Sequence, residues 1–254
     1  MKINEVLKLL EEVAPLELSD RYCKQFGAYD NSGIIINTGE EICGALFSLN
    51  LSLKTVAECK AKGFNLIVTH HPAIYGGIDR IGTDSAIAEC IKCGISVISM
   101  HLNFDFAPKG IDYHLMRGIG GAEAKTLENL EGGSYGRVYK IEKKSFSKLV
   151  THIKKTFKTE RLMAFGNDRE IDKVASFCGA GCDARAIEFA ISNGAKALVS
   201  SDLKEHEISY LVGHGVNVIQ LSHYAAESYG FNKIYDALVG LKLPKAYYND
   251  EELL

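Results

Sequence analysis

The sequence predicts an α/β fold of two similar α/β lobes, each a mixed sheet with helices on both faces. Apolar runs of strand length alternate with segments of helical period, the pattern of helices layered on a sheet. Glycines punctuate the alternation (24 against 4 prolines), so the chain is expected to wind tightly with no linker. One pattern also occurs twice. Gly63-Phe-Asn-Leu-Ile-Val-Thr69 is echoed by Gly194-Ala-Lys-Ala-Leu-Val-Ser200, and Gly94-Ile-Ser-Val-Ile98 by Gly215-Val-Asn-Val-Ile219. A helix-ending glycine before a buried strand is an ordinary turn when met once. Two such matches in the same order point to internal duplication of one unit.

Each element has a local cause. Residues 1–15 scatter Glu5, Glu11 and Glu12 among apolar positions, which predicts an amphipathic helix and not a signal peptide. Strands are expected at Ile34–Ile36 and Ile42–Leu49. Ser52 should cap a helix running to Lys62 and stopped by Gly63. Phe64–Thr69 is a buried strand, His70–Ile81 a polar loop, Asp84–Cys93 a helix ending at Gly94, and Ile95–Met100 a strand. After the glycine pair 132–133 the order restarts. Strands are expected near 137–141, 161–165, 173–178, 197–200 and 216–221. Helices are expected at 145–157, 183–193, 203–212 and 224–239. The lobes are therefore placed at 1–131 and 132–254, with the closing helix packing back on the first.

At 254 residues, one large domain or two small ones would fit. With 46% hydrophobic and 24% charged residues the chain is a globular protein, not a coiled coil or a disordered segment. A net charge of -3 offers no positive field for non-specific nucleic-acid binding. No window reaches the ~18 uninterrupted apolar residues of a membrane span. Seven cysteines, an odd number scattered through element-forming segments, read as free thiols in a reducing cytoplasm.

The chemistry concentrates at strand ends, which line the binding crevice of an open α/β sheet. His70 and His71 follow one strand, His101 and Asp105 the next, and His223 and Glu227 the last strand of the second lobe. A lone histidine is usually a packed one. Four histidines and two carboxylates converging by topology, with no thiol nearby, suit a divalent metal such as Zn, Mn or Fe(II). Adjacent side chains on extended backbone point opposite ways, so His70 and His71 would ligate two ions side by side, and a dinuclear site between the lobes is expected. Asp202 and His206, spaced to stack on one helical face, are candidates for an acid/base pair; the competing reading makes Asp202 an N-cap. Cys90 and Cys93 lie within a helix and read as buried thiols. The glycine turn between Cys178 and Cys182 is as well explained by close packing as by phosphate binding. The lysine-rich stretch from Lys140 to Lys158 reads as a solvated face.

Three motifs then carry a resemblance: Ile67-Val-Thr-His-His-Pro72, His101-x-Asn103-x-Asp105 and His223-Tyr-Ala-Ala-Glu227. With Tyr29-Asp30-Asn31-Ser32-Gly33 and Ser201-Asp202-Leu-Lys-Glu-His206, they closely resemble the Nif-three-like family of type 2 GTP cyclohydrolase I homologues, in its short form without a middle insertion. The resemblance spans nearly the whole chain. It implies one metal on His70, Asp105 and Glu227 and another on His71, His223 and Glu227, with Glu227 bridging and His101 beside the metals. It also implies a metal-dependent hydrolase that opens the imidazole ring of GTP, and a homohexamer built as a trimer of dimers. Another two-metal hydrolase (a phosphoesterase or cyclic amidohydrolase) or a non-catalytic metal-holding scaffold would use the same ligands. Ser201, Glu205 and Ser222 depart from the family's usual Gly, Tyr and Gly.

Overall fold

A computed structural model describes residues 1–254, which divide into two compact units. The first comprises Met1–Ala107 and Phe231–Asn249, the second Pro108–Gly230 and Asp250–Leu254. The first unit contains α1 (Ile3–Glu11), α2 (Glu17–Phe26), β1 (Gly33–Ile36), β2 (Ala45–Ser48), α3 (Leu53–Ala61), β3 (Leu66–Thr69), α4 (Ala86–Lys92), β4 (Ser96–Ser99) and α5 (Leu102–Phe106). The second contains α6 (Ile111–Ile119), β5 (Ala124–Leu130), β6 (Gly133–Ser145), α7 (Phe146–Phe157), β7 (Leu162–Phe165), β8 (Glu170–Ser176), α8 (Ala184–Ser192), β9 (Ala197–Ser200), α9 (Glu205–Gly213) and β10 (Asn217–Leu221). Helix α10 (His223–Ala237) starts in the second unit and contributes Phe231 onward to the first, where β11 (Lys245–Tyr247) also belongs.

The division follows Ala107 and not residue 131. The reason is strand pairing: β5 hydrogen-bonds along β6 from Ala124↔Tyr139 to Leu130↔Gly133, which ties residues 124–130 into the second sheet and the segment before them into the second unit. No helix is long and apolar enough to cross a membrane. All seven cysteines are free.

Capping fixes the helix starts. Ser52 Oγ accepts the Thr55 N–H, Ser145 Oγ the Lys148 N–H and Asp183 Oδ1 the Ala186 N–H, each satisfying an otherwise orphaned donor. The cap of α4 is Ser85, so that helix begins later than the Asp84 start expected from sequence. Strand β2 is shorter than the expected 42–49 because the Ile42 N–H donates to Met1 O and the Cys43 N–H to Asn65 Oδ1, leaving the ladder to begin at Ala45.

The first sheet has the order β1-β4-β3-β2-β11 and the second β5-β6-β8-β9-β10-β7. Strands β2, β3 and β4 are parallel, and β1 joins β4 antiparallel. Strands β8, β9 and β10 are likewise parallel, and β7 joins β10 antiparallel. The order β1-β4-β3-β2 is thus repeated, sense for sense, as β7-β10-β9-β8. The sequence echo marks its two inner pairs: β3 with β9, and β4 with β10. Every residue of β2, β3, β4 and β9 is buried, as expected of parallel strands covered on both faces.

Candidate metal centre

Strands β3 and β4 are parallel neighbours, so the residues that follow them emerge at the same end of the sheet. His70 is completely buried there. Its Nδ1 meets the Met100 carbonyl at 2.9 Å and its Nε2 lies 3.6 Å from Asp105 Oδ1. His71 Nδ1 is 2.5 Å from Asn50 Oδ1, and His101 Nδ1 is 2.7 Å from Asp30 Oδ1. A carbonyl or carboxylate oxygen can only accept, so in each neutral ring the proton sits on Nδ1 and the lone pair on Nε2. This is how metal-binding histidines are held: an acceptor behind the ring fixes tautomer and orientation and raises ligand basicity. His70, His101 and Asp105 each present a ligand atom, all within 4.8 Å of one another.

The ring centroids of His70 and His71 are only 4.9 Å apart, so the two do not splay as residues of a pleated strand would. The chain has already left the strand: Thr69 Oγ1 donates to the His71 carbonyl at 2.8 Å and bends the backbone between them. The inference of two ions from opposed side chains therefore fails. What the bend does is bring both imidazoles to one place.

Asp30 is the residue whose role sequence reasoning missed, although its motif stood out. Burial opposes its ionisation, but hydrogen bonds from His101, Ser32 and Ser19 outweigh that and hold its carboxyl down at about 2. A carboxyl lower in the folded than the unfolded state stabilises the fold above its unfolded value of 3.8, and that stability is lost as pH falls from there through about 2. The loss should amount to about 2 kcal/mol. Denaturant unfolding between pH 5 and pH 2 should show it in the parent, and Asp30→Asn should lack it. Identical pH profiles for the two proteins would count against this network.

In the second unit, β9 leads to Asp202, whose φ of +55° is left-handed, and β10 leads to His223 at the start of α10. His223 Nδ1 is 2.5 Å from Asp202 Oδ2 and its Nε2 is 3.1 Å from Glu227 Oε2, one helical turn on. Burial disfavours the imidazolium, but Glu227 and Asp202 together overcome this and raise His223 to about 9. Asp202 thus stands behind His223 as Asp30 stands behind His101. It is neither an N-cap nor stacked with His206, because α9 begins only at Glu205, with Lys204 as its cap. His206 is exposed on the first turn of α9. Glu227 is buried against Gly179, whose φ is +57° and where any Cβ would overlap Glu227 Oε1. Ser201 Oγ donates to the Gly179 carbonyl at 2.7 Å and Ser222 Oγ accepts the Ala225 N–H at 3.1 Å, so both serines support the local backbone. Buried Cys178 lies with its Sγ within 4.8 Å of a Glu227 oxygen. A thiol is therefore present in the surroundings, contrary to expectation.

Several known proteins are similar to this chain over most of its length. A protein named GTP cyclohydrolase 1 type 2 homolog from Clostridium perfringens is 27% identical over 238 residues, covering 89% of this chain and 87% of its own length. One of the same name from Lactococcus lactis is 26% identical over 263 residues, covering 99% and 97%. Among solved structures, a Bacillus cereus protein related to NIF3 superposes with a TM-score of 0.84 at 17% identity, covering 98% of this chain and 97% of its own. Reduced HcgD from Methanocaldococcus jannaschii has a TM-score of 0.79 at 24% identity, covering 97% of each chain. The sequence profile of Duf34/NIF3 (NGG1p interacting factor 3) matches residues 1–248, and the chain belongs to that family.

Proposed function

We propose that the protein is a metal-dependent hydrolase acting on a nucleotide, of the GTP cyclohydrolase type. The observation that carries this is the set of acceptors behind the rings. Met100 O, Asn50 and Asp30 each hold an Nδ1, which orients the Nε2 lone pairs of His70, His71 and His101, while Asp202 holds His223 Nδ1 with its Nε2 on Glu227 through a proton that a bound cation would displace. His70, His71, Asp105, His223 and Glu227 are the proposed ligands of two divalent cations, Zn, Fe or Mn, in the arrangement the motif resemblance implies. The donors fit: all five are imidazole or carboxylate groups, oriented from behind or buried, near the ends of β3, β4 and β10. When bound, such cations supply hydroxide from water near neutral pH and polarise the substrate.

The chain's own contribution is positional and acid–base. His101, with Nδ1 fixed by Asp30, keeps Nε2 to take a proton from water or return one to a leaving nitrogen. Asp30, held ionised, stabilises the imidazolium that results. In the reaction proposed, one water adds at C8 of guanine and the C8–N9 bond breaks to leave a formamide on N7; a second water then cleaves that amide, so the carbon leaves as formate and N7 remains as an amine. We do not assign this acid–base work to His206, which is exposed and carries no hydrogen bond.

The test is to incubate metal-loaded protein with GTP and to assay formate and a fluorescent pterin. His71→Ala should lower product formation at least 100-fold and retain fewer metal equivalents per chain than the parent. A His71→Ala protein as active as the parent would end the proposal. Release of phosphate in place of formate would replace it with a phosphoesterase.

A further inference from the structure

The loop that follows His70 and His71 frames a cavity of about 340 Å³ that the ligand chemistry above does not use. It is lined by Tyr75, Ile78, Arg80, Ile81 and Ile87, among others, all within the first unit. That size is at the lower end of the roughly 300–1,000 Å³ of small-molecule pockets, enough for one substituted ring system and too little for a folded peptide. The loop is pinned at its start, where the Ala73 N–H donates to Ser99 Oγ at 3.0 Å and Asn31 Nδ2 donates to the Ile74 carbonyl at 2.7 Å. It is pinned again at its end, where the Ser85 N–H and Oγ both donate to the Gly82 carbonyl.

Three features define what would fit. Tyr75 is 64% exposed, although a tyrosine ring gains by being covered, and its edge meets His101 with ring centroids 6.4 Å apart. Arg80 has no ion pair, even with Asp79 and Asp84 on the same loop, so its charge is available to an incoming anion. Ile78, Ile81 and Ile87 provide apolar walls that would exclude water from such a pair.

We propose that this cavity is the specificity pocket, taking a phosphorylated heterocycle with its ring on Tyr75 and its phosphates at Arg80. The proposal rests on the hydrolase reading and sharpens it. The lining residue in contact with His101 is the aromatic one, so the ring of the ligand and not its phosphate is presented for reaction. That order favours chemistry on the heterocycle over phosphoester cleavage.

Binding of GTP, guanosine and inorganic triphosphate to the metal-loaded protein, by calorimetry, tests it. Arg80→Gln should weaken GTP and triphosphate at least tenfold and leave guanosine unchanged. Tyr75→Leu should weaken GTP and guanosine five- to tenfold and leave triphosphate unchanged. Both variants should keep the parent's metal content. Unaltered GTP affinity in both variants, or no GTP binding by the parent, would overturn the pocket, whatever the turnover. GTP binding that depends on Arg80 and Tyr75 but yields no formate would uphold the pocket and remove the cyclohydrolase reading instead.

Discussion

Replacing Asp112 with alanine should cost the second unit about 3–5 kcal/mol, the effect of stranding a buried charge. Asp112 lies in the first turn of α6 and is 0% exposed, while the Arg137 side chain is 7% exposed. Arg137 Nε lies 2.8 Å from Asp112 Oδ2. The Gly136 N–H donates to the same oxygen at 3.1 Å and the Cys178 N–H to the other at 3.4 Å. Burial pushes the Asp112 carboxyl up to about 6 against the pull of Arg137 and these amides, so near neutral pH the pair is still charged. Without the carboxylate, the guanidinium and two amides lose their acceptor in a place water does not reach. The thermal midpoint should fall by about 6–20 °C, at roughly 2–4 °C per kcal/mol for a chain of this size. The double variant Asp112→Leu/Arg137→Met should lose much less, because it leaves no unpaired charge. A single variant that melts with the parent would show that the pair holds nothing together.

Gly179→Ala should release metal while leaving the protein folded. A Cβ at 179 would overlap Glu227 Oε1, so the carboxylate must swing away from its present place, while His223 Cε1 at 3.6 Å would be in ordinary contact. The φ of +57° adds about 1–2 kcal/mol for any residue with a side chain. Metal affinity, read by competition with a chelator, should drop about 10–100-fold, the usual cost of disturbing a ligand's supports. Gly213→Ala is the control. This glycine ends α9, its new methyl would have nothing within 4 Å, and the variant should bind metal as the parent does. A Gly179→Ala protein that binds metal as the parent does would remove Glu227 from the proposed ligand set.

Much of the scaffold was legible because its causes are local. Ser52, Ser145 and Asp183 announce their helices by the oxygen they offer to an N–H three residues on. The echo of Gly63–Thr69 in Gly194–Ser200 foretold two matching strands at equivalent places. Elements set by distant pairing were not legible. Strand β11 has three residues and exists because β2 offers it an edge, and β5 is held by β6. The echo does not extend to the histidines that follow it. His101 is seven residues past Gly94, but His223 is eight past Gly215. Topologically His101 corresponds to Ser222, so the two histidines are not equivalent copies. The acceptors behind the rings were hidden for a simpler reason. Asp30 is 71 residues from His101, Asn50 is 21 from His71, and a backbone carbonyl such as that of Met100 leaves no mark in a sequence.

The first sheet closes with β11 beside β2, and its core includes Phe231 against Phe47, so the final stretch of the chain completes it. On the ribosome, that sheet must wait while residues 108–230 of the second unit are translated, roughly 6–25 s at about 5–20 residues per second. Throughout that interval β2 offers a naked edge to any passing strand. Nascent chains halted before residue 231 should therefore recruit holdase chaperones, and those halted after 249 should let them go.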